Sequence, residues 1–222
     1  MTSYVLIPGS GGSAWYWHRV APLLTASGHE VVAVDLPADD PKAGLEEYVR
    51  IVAAAVAERA DLVLVAASLG GFVVPLVAER TPVRAIVLIN AMIPLQGETA
   101  GEWWRNTGAV DARERAARSG GYPVEFDPGT YFFHDVPEEV LADGERHLHE
   151  EAEIVFTSVC DFISWPRVPT RVAAGREDRF FPIEFQRQIT LERLGIEIDG
   201  LPGGHLIALA RPTELASYLL SI

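Results

Sequence analysis

Three residues of this chain have the types and the order that acyl transfer by a serine requires: Ser68, Asp178 and His205. A serine hydroxyl is a weak nucleophile until a base takes its proton. An imidazole serves as that base when a carboxylate fixes its tautomer and orientation. Ala66-Ala67-Ser68-Leu69-Gly70 nearly repeats the G-x-S-x-G turn that lifts a serine oxygen into a cleft, with alanine at the first glycine. A pentapeptide alone carries little weight, because Ser and Gly also close strands for reasons of turn chemistry. Its context adds to it: residues 62–65 are an unbroken apolar run suited to a buried parallel strand, and 72–80 read as a helix, so Ser68 falls in the turn between them.

His205 follows Gly203-Gly204 in a loop before the last helix, and Asp178 lies 27 residues earlier in Gly175-Arg176-Glu177-Asp178-Arg179. Both loops follow predicted strands, at the sheet edge where ligands bind in open α/β folds. Glu177 competes with Asp178 as the acid; the shorter side chain favours Asp178, and Glu177, Glu184, Asp161 and Asp199 are read as solvated charges. Among the other histidines, His18 lies in the first helix, His29 in a turn and His134 in the insertion. His147 and His149, two apart, belong to different faces of a helix. No metal site is expected.

The elements that must position these groups alternate. Strands are predicted at 4–7, 31–34, 62–65 and 85–89, with helices at 14–27, 45–59 and 72–80 between them. That pattern calls for a parallel sheet covered on both faces. Pro75 is tolerable if its helix begins just before it. Alternation resumes with a strand at 170–174, a helix at 183–194, a short strand at 196–198 and a helix at 212–220. The loop Pro8-Gly9-Ser10-Gly11-Gly12-Ser13 leaves backbone N–H groups accessible and could hold an anion. It lacks the third glycine of a dinucleotide fingerprint, so no nucleotide cofactor is expected.

Alternation stops between Asn90 and Val168. This stretch is rich in aromatics, Trp103, Trp104, Phe132, Phe133 and Phe156 among them, and residues 109–118, 138–149 and 150–158 read as helices. A helical cap inserted at about 91–168 into a single domain over 1–222 is the expectation. Residues 94–101 have loop composition, and the pair Trp103-Trp104 just beyond is placed at the substrate entrance. Most of the remaining aromatics are read as fastening the cap to the sheet.

The 222 residues are 49% hydrophobic and 22% charged, enough for a sizeable core. The formal net charge of −13, from 31 acidic against 18 basic residues, repels nucleic acid and anionic membranes. The single cysteine, Cys160, rules out an internal disulfide and any Cys-based zinc site, no apolar run approaches a bilayer span, and no secretory segment is read at the N-terminus. A cytoplasmic monomer or homodimer acting on a small molecule without a cofactor is expected.

The segments I-P-G-S-G-G-S-A-W-Y-W-H at 7–18, S-G-H-E-V-V-A-V-D-L-P at 27–37, A-S-L-G-G at 67–71, E-D-R-F-F-P-I-E-F-Q at 177–186 and G-G-H at 203–205 together are far more specific than the turn at Ser68. Through them the chain resembles the α/β-hydrolase superfamily along essentially its whole length, in the branch of plant methylesterases, polyneuridine aldehyde esterase and plant hydroxynitrile lyases. The resemblance implies a mostly or wholly parallel sheet of about six strands, Tyr4 opening the strand usually counted third. It also implies an oxyanion hole from the N–H groups of Leu69 and Ser10, with Gly9 beside the substrate. Pro8 departs from the pattern, since relatives commonly carry histidine there. The lyases of this branch depend on a lysine after the histidine and a threonine beside the oxyanion loop; Leu206 and Gly9 stand at those positions. Cleavage of an ester, lactone or thioester is therefore the leading expectation. A non-catalytic ligand-binding protein, or a cyclase or dehydratase using His205 and Asp178 alone, stays open beside it.

Overall fold

The computed structural model describes residues 1–57 and 59–222, with the backbone alone at residue 145. Its strands are β1 (Ser3–Ile7), β2 (Glu30–Ala33), β3 (Leu62–Ala67), β4 (Ala85–Ile89), β5 (Glu98–Thr99), β6 (Val159–Cys160), β7 (Thr170–Gly175) and β8 (Ile198–Leu201). Six of them form one parallel sheet in the order β2-β1-β3-β4-β7-β8, while β5 and β6 pair antiparallel as a separate ribbon.

The apolar runs of the central strands follow from burial on both faces. Leu62, Leu64 and Ala66 of β3 join Val49 and Val52 of helix Leu45–Val56 on one face, and Val63, Val65 and Ala67 join Trp17, Leu24 and Leu215 on the other. Strand side chains alternate with a period of two, so each face needs its own apolar set and the run cannot alternate with polar residues. No helix among the described residues is long and apolar enough to cross a membrane.

Several boundaries differ from the sequence reading. The helix expected at 14–27 is a 3-10 turn, Ala14–Trp17, followed by a separate helix, Ala21–Ala26, with Pro22 in its first turn. Proline lacks the N–H that would continue the earlier turn but suits a helix start. The helix expected at 45–59 ends at Val56, and residue 58 lies outside the described residues. The last strand runs over Ile198–Leu201 rather than 196–198.

Between β4 and β7 the chain is helical: Ala100–Thr107, Ala109–Gly120, Pro128–Tyr131, Glu138–Gly144, a 3-10 turn Glu145–His147, and Glu153–Thr157. The first of these falls partly in a stretch read as loop. Its start is a capping box, in which Thr99 Oγ1 accepts from Glu102 N–H and the Glu102 carboxylate accepts from Thr99 N–H. The β5–β6 ribbon closes the base of the insertion. The buried ion pair of Glu98 with Arg193 (2.5 Å) ties it to helix Ile183–Leu194, and Glu98 is further satisfied by Asn106 and Leu95 N–H.

Candidate active site

Ser68 follows β3 directly, with φ of 48°, a left-handed conformation uncommon for a residue with a β-carbon. The turn must pass close to its neighbours. Met92 N–H donates to Ser68 O at 2.9 Å, and a β-carbon on Gly71 would collide with the Met92 carbonyl oxygen. The chain leaves the turn as a 3-10 segment, Ser68–Phe72, that runs into the α-helix Val73–Ala78, so Pro75 falls in its first turn. Leu69 is thereby at the N-terminal end of a continuous helical stretch, where amide hydrogens lack intrahelical acceptors and favour negative charge.

Ser68 Oγ lies 3.2 Å from His205 Nε2, and His205 Nδ1 lies 2.8 Å from Asp178 Oδ2. The three sequence-predicted residues thus stand as one hydrogen-bonded chain, with Asp178 and His205 buried. Asp178 Oδ1 accepts from the N–H groups of Phe180 (2.8 Å) and Phe181 (2.9 Å), and Oδ2 also accepts from Gln186 Nε2 (3.1 Å). Those four donors hold both carboxylate oxygens in place without solvent.

Glu177, the competing carboxylate, points elsewhere. It is not the solvated charge expected from sequence: its Oε2 accepts from Gly203 N–H at 2.5 Å. Asp135, from the insertion, accepts from Gly204 N–H at 2.7 Å, so two carboxylates grip the glycines ahead of His205. Asp199 is likewise engaged, by Arg171 (2.9 Å) and Tyr218 (2.7 Å).

Gly9 packs against the serine so closely that a β-carbon on it would lie 2.8 Å from Ser68 Cβ, so this backbone leaves no room for a side chain there. The Gly9–Gly11 loop is held from the insertion. Glu151 Oε2 accepts from Gly11 N–H at 2.8 Å, Oε1 accepts from the Tyr48 hydroxyl, and the Ser10 side chain also hydrogen-bonds to this carboxylate. Burial pushes the Glu151 carboxyl above its usual range, opposed by these donors.

A cavity of about 590 Å³ opens over Ser68, lined by Gly9, Ser10, Leu69 and His205 together with mainly apolar side chains. Phe132, Phe180 and Phe181 ring the imidazole at centroid distances of 5.2, 5.1 and 5.2 Å. Trp104 lines the cavity and Trp103 does not. Successive helical residues diverge by about 100°, and here Trp103 turns into the core, 1% exposed, with Nε1–H donating to Ile93 O at 3.1 Å. Of the two tryptophans considered for the substrate entrance, Trp104 borders the cavity and Trp103 is a core residue. His147 and His149, assigned to different helix faces, both line the cavity because the helical segment ends at His147. Among the described residues, no lysine or arginine lines it.

Trp15, which lines the cavity, and Glu151, Asp135, Asn90 and Gln186, which hydrogen-bond around the site, were missed as contributors. Only Asn90 carried a local signal, as a polar residue ending an apolar strand at the ligand-binding edge. The Cys160 thiol, in the ribbon at the base of the insertion, is buried and pushed up to about 12, chiefly by desolvation, so it is no competing nucleophile. Among the described residues, no group of three or more His, Cys, Asp or Glu side chains is placed to hold a metal ion.

The chain belongs to the alpha/beta hydrolase family, whose model matches residues 4–218. Among its relatives, the probable esterase PIR7A of Oryza sativa subsp. indica is 40% identical over 112 residues, a match covering 44% of this chain and only 42% of that protein. The esterase PIR7B of Oryza sativa subsp. japonica is 28% identical over 99% of this chain and 94% of its own length. The crystal structure of polyneuridine aldehyde esterase superposes with a TM-score of 0.79 at 20% identity, covering 100% of this chain and 98% of that one. The fold and the branch anticipated from the sequence motifs are both found.

Proposed function

We propose that the protein is a serine hydrolase that cleaves an ester, lactone or thioester of a small, largely apolar molecule through an acyl-enzyme. The observation that carries this reading is the hydrogen-bonded chain Ser68–His205–Asp178 at the floor of an apolar cavity. His205 Nε2 takes the Ser68 proton as Oγ attacks the carbonyl carbon, while the Asp178 carboxylate stabilises the imidazolium. The N–H groups of Leu69 and Ser10 receive the developing oxyanion. Collapse expels the alcohol or thiol with the proton from His205. Water, deprotonated by the same imidazole, then attacks the acyl group, releases the carboxylic acid and restores Ser68.

The apolar lining, rich in Phe and Trp, suits an apolar acyl or alcohol group, and the esterase names of the rice relatives support the same chemistry. Leu206 lines the cavity where the lyases need a cation for departing cyanide, which favours hydrolysis over carbon–carbon cleavage.

A serine-directed fluorophosphonate is expected to add once, at Ser68, as read by intact-protein mass spectrometry and peptide mapping, and short-chain p-nitrophenyl esters are expected to turn over. An unlabelled protein, or an adduct elsewhere, removes Ser68 as the nucleophile. Labelling without turnover of any ester favours a ligand-binding role.

A further inference from the structure

Two neutral amides lie behind the acid and the base, and the proposed hydrolysis does not itself use them. Gln186, on helix Ile183–Leu194, is buried, and its Nε2 donates to Asp178 Oδ2 (3.1 Å), Phe181 O (2.6 Å) and Asn90 Oδ1 (3.2 Å). Asn90, at the end of β4 with φ of 46°, donates through Nδ2 to the carbonyls of Gly204 (3.1 Å) and His205 (2.9 Å), and its Oδ1 also accepts from Gly175 N–H (2.8 Å). Each amide nitrogen faces only acceptors, so both orientations are fixed.

That orientation leaves Gln186 Oε1 buried with no hydrogen-bond partner. An orphaned carbonyl lowers stability. What the glutamine gains is a bond to the same carboxylate oxygen that receives His205 Nδ1.

Building on the serine-hydrolase reading, we propose that Gln186 is a positioning residue for the reaction, its amide pinning Asp178 Oδ2 at the imidazole while Asn90 fixes the backbone on either side of the base. Phe180 and Phe181 N–H hold only Oδ1, so without Gln186 the second oxygen has no donor but the histidine. Asn90 spans the ends of β4 and β7 and the loop before His205, so the acid loop and the base loop share one reference point.

The test compares wild type, Gln186→Met, Asp178→Asn and the double variant by kcat and KM on a p-nitrophenyl ester, rate of fluorophosphonate addition, and Tm. For Gln186→Met we expect a lower Tm, because Phe181 O loses its side-chain donor, with unchanged KM and with kcat and labelling rate lower by about tenfold to a hundredfold, the scale of a slightly misplaced catalytic group. In the Asp178→Asn background the same change is expected to alter kcat by less than about twofold, because Gln186 acts through Asp178. Equal losses in both backgrounds, or wild-type labelling by Gln186→Met, overturn the proposal. Should Gln186→Met lose its fold by circular dichroism, Gln186→Asn, which retracts the amide by one methylene, carries the same expectations. Wild type that does not label at Ser68 defeats the hydrolase reading itself; wild type that labels alongside an equally reactive Gln186→Met defeats only this inference.

Discussion

The two halves of the cavity floor are fastened by different parts of the molecule. Asp178 and His205 are held at the sheet edge: Phe180 and Phe181 N–H from the loop after β7, Gln186 from a helix packed on the sheet, and Asn90 from the end of β4 all hydrogen-bond to the acid or to the backbone of the base loop. The opposite half, the Gly9–Gly11 loop, is held by Glu151, which comes from the far end of the insertion together with the Ala152 N–H to Ala38 O bond (2.7 Å). The acid is therefore set by the sheet edge alone, and the base by the sheet edge together with Asp135 of the insertion, which holds Gly204 N–H. The proposed oxyanion site is complete only when the insertion is seated, and the same seating closes the cavity over Ser68.

The largest effect expected from breaking the sheet-held half is that of Asp178→Asn, which should lower kcat by roughly 10⁴-fold while leaving the fold intact. Steady-state kinetics with an unchanged far-UV spectrum checks it, and a loss below about tenfold would mean that another group orients His205. Trp103→Ala acts on the seam between the halves. The indole is buried against Phe181 and Phe185 and anchors the first insertion helix through Ile93 O. Its removal should cost ~3 to 5 kcal/mol and lower Tm, whereas Trp104→Ala should leave Tm within a few degrees and raise KM or shift the preferred ester length.

Glu151→Ala tests the insertion-held half directly. The loop would lose its acceptor for Gly11 N–H and the Ser10 hydroxyl, and kcat is expected to fall by about tenfold to a hundredfold, less than the ~10² to 10³ of deleting an oxyanion donor outright. The same residue gives a pH signature. Because burial raises its pKa above the usual 4.5, the folded chain holds this proton more tightly than the unfolded chain, so its contribution to stability is fullest at low pH and declines as pH rises through the raised value. The Tm of wild type relative to Glu151→Gln should therefore fall as pH rises from below the usual 4.5 through the raised value. A constant difference across that range would show that the carboxyl does not titrate there. The smallest effect is reserved for Glu177→Gln. Its carboxylate grips Gly203 from an exposed position and Asp135 grips the next residue independently, so kcat should change by less than about tenfold.

What could be read in the chain alone follows the same division. Strands buried on both faces must be apolar throughout, so 62–65 and 85–89 declared themselves. Each loop at the sheet's C-terminal edge inherits its place from the strand before it, which is why Ser68, Asp178 and His205 could be named together though 137 residues separate the first from the last. Sequence order and parallel topology suffice to bring three strand ends to one edge. The insertion has no such rule. Its helices are short and its aromatics serve core and cavity alike. Trp103 and Trp104 are indistinguishable by type and are separated only by the rotation of a helix whose start depends on Thr99 and Glu102. Glu151, Asp135, Gln186 and Glu177 all looked like ordinary surface residues, because a polar side chain acquires its meaning from the donor or acceptor it meets, and here those partners lie 140, 69, 8 and 26 positions away. Local pattern determined the sheet and the edge on which the chemistry sits. Only tertiary contact decided which groups hold that chemistry in place.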